Sequence, residues 1–205
     1  SDLETLCSLH IASVRFAIED GLPRRALFSA LKLRSLAANL LPSRTLVNCD
    51  LTLAFVLQSL GLAQACDQKV KRAHAIALHL QDPVAIATCC QVNHVIAGWR
   101  DAYDECERNA RFCYEHRQWV DVPEFCHICF GMYVIETCRG RPESALVWLN
   151  YAVDRVGVET RAPSVFTLIE EAIYGTLMAL GRDREIAPLR TRLASVRRAE
   201  LRYGS

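Results

Sequence analysis

Gly140-Arg141-Pro142-Glu143-Ser144-Ala145-Leu146-Val147-Trp148-Leu149-Asn150-Tyr151-Ala152 is the stretch whose reading decides the fold. Proline is tolerated in the first turn of a helix and glycine just beyond its end, so Gly140 closes one helix and Pro142 opens the next. Ala145 and Ala152, five and twelve residues after the glycine, are the small residues a second helix needs to pack closely on the first. The opening recurs as Gly21-Leu22-Pro23-Arg24-Arg25-Ala26. Outward from there, Pro42, Pro83, Pro123 and Pro163 lie 41, 40 and 40 residues apart, and Gly21, Gly61, Gly98, Gly140 and Gly181 recur at 40, 37, 42 and 41. Two interleaved breakers with one period mark a helical hairpin repeat of about 40 residues. Five residues after the glycines stand Ala26, Cys66, Tyr103, Ala145 and Ile186; twelve after them stand Leu33, Ala73, Ala110, Ala152 and Leu193.

Ten helices follow, at 3–20, 23–40, 45–60, 63–81, 84–97, 100–118, 123–138, 142–156, 163–180 and 183–202. No strand is needed: Val165-Phe166-Thr167-Leu168-Ile169 could be one in isolation, but Glu170, Glu171 and Ala172 extend it at helical period. With 205 residues, 51% hydrophobic and 23% charged, the chain fills one core, and no composition shift divides it. A single helical-repeat domain spanning 1–205 is expected, cut from a longer protein because the chain opens on Ser1-Asp2-Leu3-Glu4. A net charge of +1 disfavours a general nucleic-acid coat, and no apolar run spans a bilayer. The ten cysteines lie inside helix-patterned runs rather than a loop-rich scaffold. They read as reduced thiols of a cytoplasmic protein, with Cys7, Cys49, Cys66, Cys106, Cys113 and Cys138 acting as small buried hydrophobes.

The Gly-x(4)-Ala-x(6)-Ala spacing of 140–152, echoed after Gly21, Gly61 and Gly98, resembles the second helix of tetratricopeptide-type repeats. The longer period is similar to the repeat regions of bacterial transcriptional regulators of the MalT and LuxR-ATPase kind, where such repeats sense and bind beside an ATPase and a DNA-binding module. The Leu-Gly-x-x-Tyr core of each first helix is absent, with Gln91, Tyr133 and Tyr174 where a small residue would sit. The resemblance implies an all-α, right-handed solenoid of about five hairpins whose concave wall is lined by first helices. The alternative is an irregular helical bundle. With the glycines setting the register, the groove positions are Asn48, Phe55, Gln58, Val92, His127, Phe130, Val134 and Glu171. Most are apolar, so a protein or peptide segment, or a small apolar effector, is the expected ligand. The competing reading is that Phe55, Phe130 and Val134 fill core between hairpins.

Candidate chemistry is sparse. Cys126-His127-Ile128-Cys129 could join Cys90 and His94 as a Cys3His zinc set, but two helix interiors offer no turn to converge the ligands. Buried thiols are the preferred reading, and no metal or other cofactor is expected. Phosphate-binding loops, a His-Glu-x-x-His helix and a nucleophile elbow are missing, so no enzyme is specified. Asp101, Asp104, Glu105 and Glu107 read as helix-start and solvated charge, and Glu170-Glu171 as a solvated pair. From Arg182 to Ser205, Arg182, Arg184, Arg190, Arg192, Arg197, Arg198 and Arg202 against Asp183, Glu185 and Glu200 leave a local net of +4, the polar cap of a solenoid end. Direct nucleic-acid contact is not expected. The first helix, with Leu3, Leu6, Leu9, Ile11, Val14, Phe16 and Ile18, is apolar on more than one face and offers a surface for homodimerisation. The expected function is a non-catalytic sensor or interaction module of a bacterial transcriptional or signalling regulator. A free-standing chaperone cradling a hydrophobic client segment is the second reading, and an enzyme built on the cysteine-rich centre the third.

Overall fold

The computed structural model of the chain describes residues 2–156 and 166–188. Every regular element among them is helical: α1 (Asp2–Glu19), α2 (Pro23–Ala37), α3 (Arg44–Ser59), α4 (Ala63–His79), α5 (Pro83–Trp99), α6 (Tyr103–Glu115), α7 (Val122–Cys138), α8 (Pro142–Val156) and α9 (Phe166–Ala179). Short 3-10 turns stand at Arg117–Trp119 and Asp183–Glu185. Consecutive helices pack as adjacent pairs, α1 with α2, α3 with α4 and α7 with α8, an arrangement compatible with a helical solenoid. The tenth expected helix, 183–202, starts in the second 3-10 turn and is helical at 186–188; Pro163, Leu193 and the rest of 189–202 lie outside the described residues.

Two compact units form, Ser1–Ile96 and Ala97–Ser205, although composition marks no division, and each has its own core. In the first, Cys7, Val14, Ala30, Leu33, Leu46, Cys49 and Leu53 join α1, α2 and the outer face of α3. Val47, Leu51, Cys66, Ala73, Ala77, Ala85, Cys89, Val92 and Ile96 join α3, α4 and α5. In the second unit Cys106, Ala110 and Cys113 of α6, Phe125, Cys129 and Met132 of α7, Ala145, Leu149 and Ala152 of α8, and Ile169 and Ile173 of α9 are all buried. The second helices thus turn alanine and cysteine inward, which lets helix axes approach closely.

The turn chemistry departs from the expectation at one hairpin. Left-handed backbone occurs at Gln81 (φ 50°), after α4, and at the ends that follow α1, α3, α5, α7 and α9: Gly21 (φ 66°), Gly61 (φ 75°), Asp101 (φ 56°), Gly140 (φ 69°) and Gly181 (φ 68°), these five at separations of 40, 40, 39 and 41 residues. Gly98 is not a helix terminator: α5 runs through it to Trp99, and Asp101 takes the terminating role. At each of these ends the residue after the left-handed one donates its N–H back to a carbonyl in the last turn, as Ala102 does to Ala97 at 2.9 Å and Arg141 to Glu136 at 2.8 Å. Counted from Asp101, the positions five and twelve along are Cys106 and Cys113, both fully buried, whereas Tyr103 is half-buried. Cys138 also departs, being exposed: it stands four residues after exposed Val134 and shares its outward face of α7.

Candidate functional site

The expected groove residues do not share one environment. In the first unit Asn48, Phe55 and Gln58 are half-buried on α3, Phe55 packing against the core, and Val92 is 4% exposed. Val92 is therefore a core residue and not a groove residue: with Ala85, Cys89 and Ile96 it forms the inward stripe of α5 at helical spacing. In the second unit His127 and Val134 of α7 and Glu171 of α9 are exposed, and half-buried Phe130 lies with its ring 5.6 Å from that of Tyr133.

The first unit carries instead a cleft of about 410 Å³ between α2 and α4, both of which pack on α3. One face of each helix lines it: Leu27, Ala30, Leu31 and Arg34 from α2; Leu53, Val56 and Leu57 from α3, with Leu60 just past its end; Ala65, Gln68, Lys69 and Arg72 from α4. Each set follows the i, i+3, i+4, i+7 rule, so floor and walls are ridges two helical turns long. None of the eight groove positions expected from the sequence is among them. Beneath the α4 wall, Asp50 is fully buried and receives hydrogen bonds from Lys69 Nζ at 2.9 Å and Arg72 Nε at 2.5 Å. Those two bonds compensate a carboxylate that would be costly to bury alone. They also fix the two cations at the rim.

Away from the cleft, the first unit is braced by a clamp at the start of α3. Arg44 at the start of α3 donates to both oxygens of Asp82, at 2.7 and 2.9 Å, and Asp82 Oδ1 accepts the N–H of Val84 and Ala85 at the start of α5. The Arg44 hydrogen bond, against the burial that opposes it and with the Ala85 N–H in support, holds the Asp82 carboxyl below its ordinary range.

In the second unit the acidic cluster is neutralised rather than poised. Arg139 meets Asp104 at 2.7 Å, Glu136 at 3.0 Å and Glu107 at 3.1 Å. Glu107 is held below its ordinary range first by its hydrogen bond from Arg111, with Arg139 adding to it. Glu170 is buried and Glu171 exposed, so the two do not share a site. Arg182 pairs with Glu143 at 2.8 Å and with Glu185; Arg190, Arg192, Arg197, Arg198 and Arg202 of the expected basic cap lie outside the described residues. A wider depression of about 780 Å³ is lined by Tyr114, Glu115, Arg117, Gln118, Tyr151, Asp154 and Arg155, where charges of both signs cancel.

All ten cysteines are free thiols. Burial pushes Cys49, Cys89 and Cys126 up to about 12, Cys90 and Cys106 up to about 11, and Cys129 well above its ordinary value. Such thiols stay protonated and unreactive at neutral pH. Cys126 and Cys129 face inward on α7 while His127 faces out, Cys90 is half-buried and His94 is buried. No group of three or more His, Cys, Asp or Glu side chains that could hold a metal occurs among the described residues. Nor is any helix among them long and apolar enough to cross a membrane.

No family model matches the chain, and no curated protein matches it in sequence. Among solved structures, the crystal structure of BtubC (BKLC) from P. vanneervenii is similar, with a TM-score of 0.62 at 14% sequence identity over 100% of this chain and 93% of that chain. A likeness at that identity concerns the fold alone.

Proposed function

We propose that the chain is a non-catalytic binding module, a tetratricopeptide-like array of about five hairpins that holds a segment of a partner protein in the cleft between α2 and α4. The observation that carries this reading is the lining of that cleft: apolar on its floor, walled by three helix faces, and free of any carboxylate, histidine or thiol that could perform chemistry. Its volume of about 410 Å³ suits inserted side chains. In a cytoplasmic transcriptional or signalling regulator, of the kind whose repeats this sequence resembles, an occupant bridging α2 and α4 would bias their packing on α3. A linked domain would read that bias.

Selection of a random peptide library displayed on phage against the immobilised chain tests the reading. Enriched peptides are expected to lose binding in Leu27→Glu and Leu31→Glu variants whose helicity is unchanged by circular dichroism. Peptides that bind these variants as well as the parent chain, or a library that yields none, would overturn it.

A further inference from the structure

Positive charge is concentrated around the cleft to a degree that the chain-wide balance conceals. Between Leu22 and Leu80 stand Arg24, Arg25, Lys32, Arg34, Arg44, Lys69, Lys71 and Arg72 against Asp50 and Asp67 alone, a net of +6, of which Arg44 is paired with Asp82 just outside the segment and stands away from the cleft. The whole chain is +1, so the remaining residues carry −5. Helix α2 has four of these cations and no acid; α4 has three and Asp67. The charge also has a direction. Arg34 closes one end of the α2 wall and makes no ion pair with the described residues, while Gln68, Lys69 and Arg72 make most of the α4 wall polar. Arg72 meets Asp50 through Nε, and its side chain is half exposed, so the guanidinium keeps donors at the rim of the cleft.

Together with the proposed binding role of this cleft, on which the inference rests, the geometry points to an acidic amphipathic helix as its occupant. Three ridges with i, i+3, i+4, i+7 spacing form a trough two turns long, the shape into which the apolar stripe of another helix fits. Leu27, Leu31, Leu53, Val56, Leu57 and Leu60 receive that stripe. Glu or Asp residues on its flank face Lys69 and Arg72 on one side and Arg34 on the other. The concave shape sets this apart from a flat bilayer surface, which an exposed basic amphipathic helix such as α2 would meet by itself.

The test uses the full chain and two hydrocarbon-stapled helical peptides, each with Leu at i, i+3, i+4 and i+7, one flanked by Glu and the other by Lys. Fluorescence anisotropy is expected to show saturable binding of the Glu peptide, roughly tenfold or more tighter than the Lys peptide and weakening with added salt. Arg34→Gln, a change at an exposed residue outside the core, is expected to weaken the Glu peptide about threefold or more and leave the Lys peptide unchanged or tighter. Equal affinities, or indifference to Arg34→Gln, overturn the inference. So does displacement of the Glu peptide by phosphatidylserine vesicles that bind the chain, which assigns the surface to a membrane. Library peptides that need Leu31 yet carry no acidic bias would sink the acidic helix and leave the binding module standing.

Discussion

Asp101 shows how a residue can hold a position usually given to glycine. Its φ of 56° is strained for a side chain with a Cβ, and Asp tolerates it better than most, helped by the Tyr103 hydroxyl donating to its Oδ1 at 2.8 Å. Asp101→Gly is expected to stabilise the chain by up to about 1 kcal/mol, read as a raised thermal midpoint. Gly140→Ala is expected to destabilise it by about 1 kcal/mol, since no neighbour lies within 4 Å of an added Cβ and the cost is conformational. If both changes act in the same direction, the left-handed assignment is wrong. Asp82 carries a pH signature. A carboxyl held below its ordinary range stabilises fully above that range and stops doing so as pH falls through the lowered value. Asp82→Ala, which also removes the α5 cap, is expected to cost about 1–2 kcal/mol at neutral pH. In urea titrations the gap between variant and parent should narrow in acid; a constant gap would show that the carboxylate's charge plays no part.

The α3–α4 pair turns on an asymmetry between partners. Asp50 is fully buried, while the side chains of Lys69 and Arg72 are 25% and 50% exposed. Replacing both cations by Met strands a buried carboxylate and is expected to cost about 3–5 kcal/mol. Asp50→Leu leaves two cations that can turn to water, and is expected to cost less than half as much. Denaturant midpoints of the three proteins decide it, and equal losses would mean that the ion pairs contribute little beyond packing. The same pair pins the cations of the cleft wall from below.

Thiols are distributed across the whole molecule, five in each compact unit, and report on its opening. A thiol-specific reagent added to the native chain should label Cys138 at once and leave Cys49, Cys89, Cys126 and Cys129 until the unit around each unfolds. Mass mapping of labelled peptides along a urea series checks this. Labelling of those buried thiols as fast as Cys138 in the absence of urea would contradict the cores described above.

Breaker spacing and the small residues of the second helices determined, from sequence alone, that the described residues are helical, where the hairpins at Gly21, Gly61, Gly140 and Gly181 turn, and which residues of α2, α4 and α8 face inward. These are local properties: where a helix stops depends on residues within a turn or two of its end, and Ala26, Ala73, Ala145 and Ala152 are buried as their spacing implies. Gly98 misled because residue type records the capacity for left-handed backbone and not its use; the helix stops where Ala102 finds the Ala97 carbonyl, at Asp101. Whether a residue faces a groove or a core depends on how one hairpin is rotated against the next, which no spacing within a helix records, and so Val92 turned inward. The charge asymmetry of residues 22–80 was present in the sequence but averaged away in a count over the full chain. Only the tertiary structure brought the faces of α2, α3 and α4 together into one basic-rimmed cleft, because that convergence is set by side-chain packing between segments far apart along the chain.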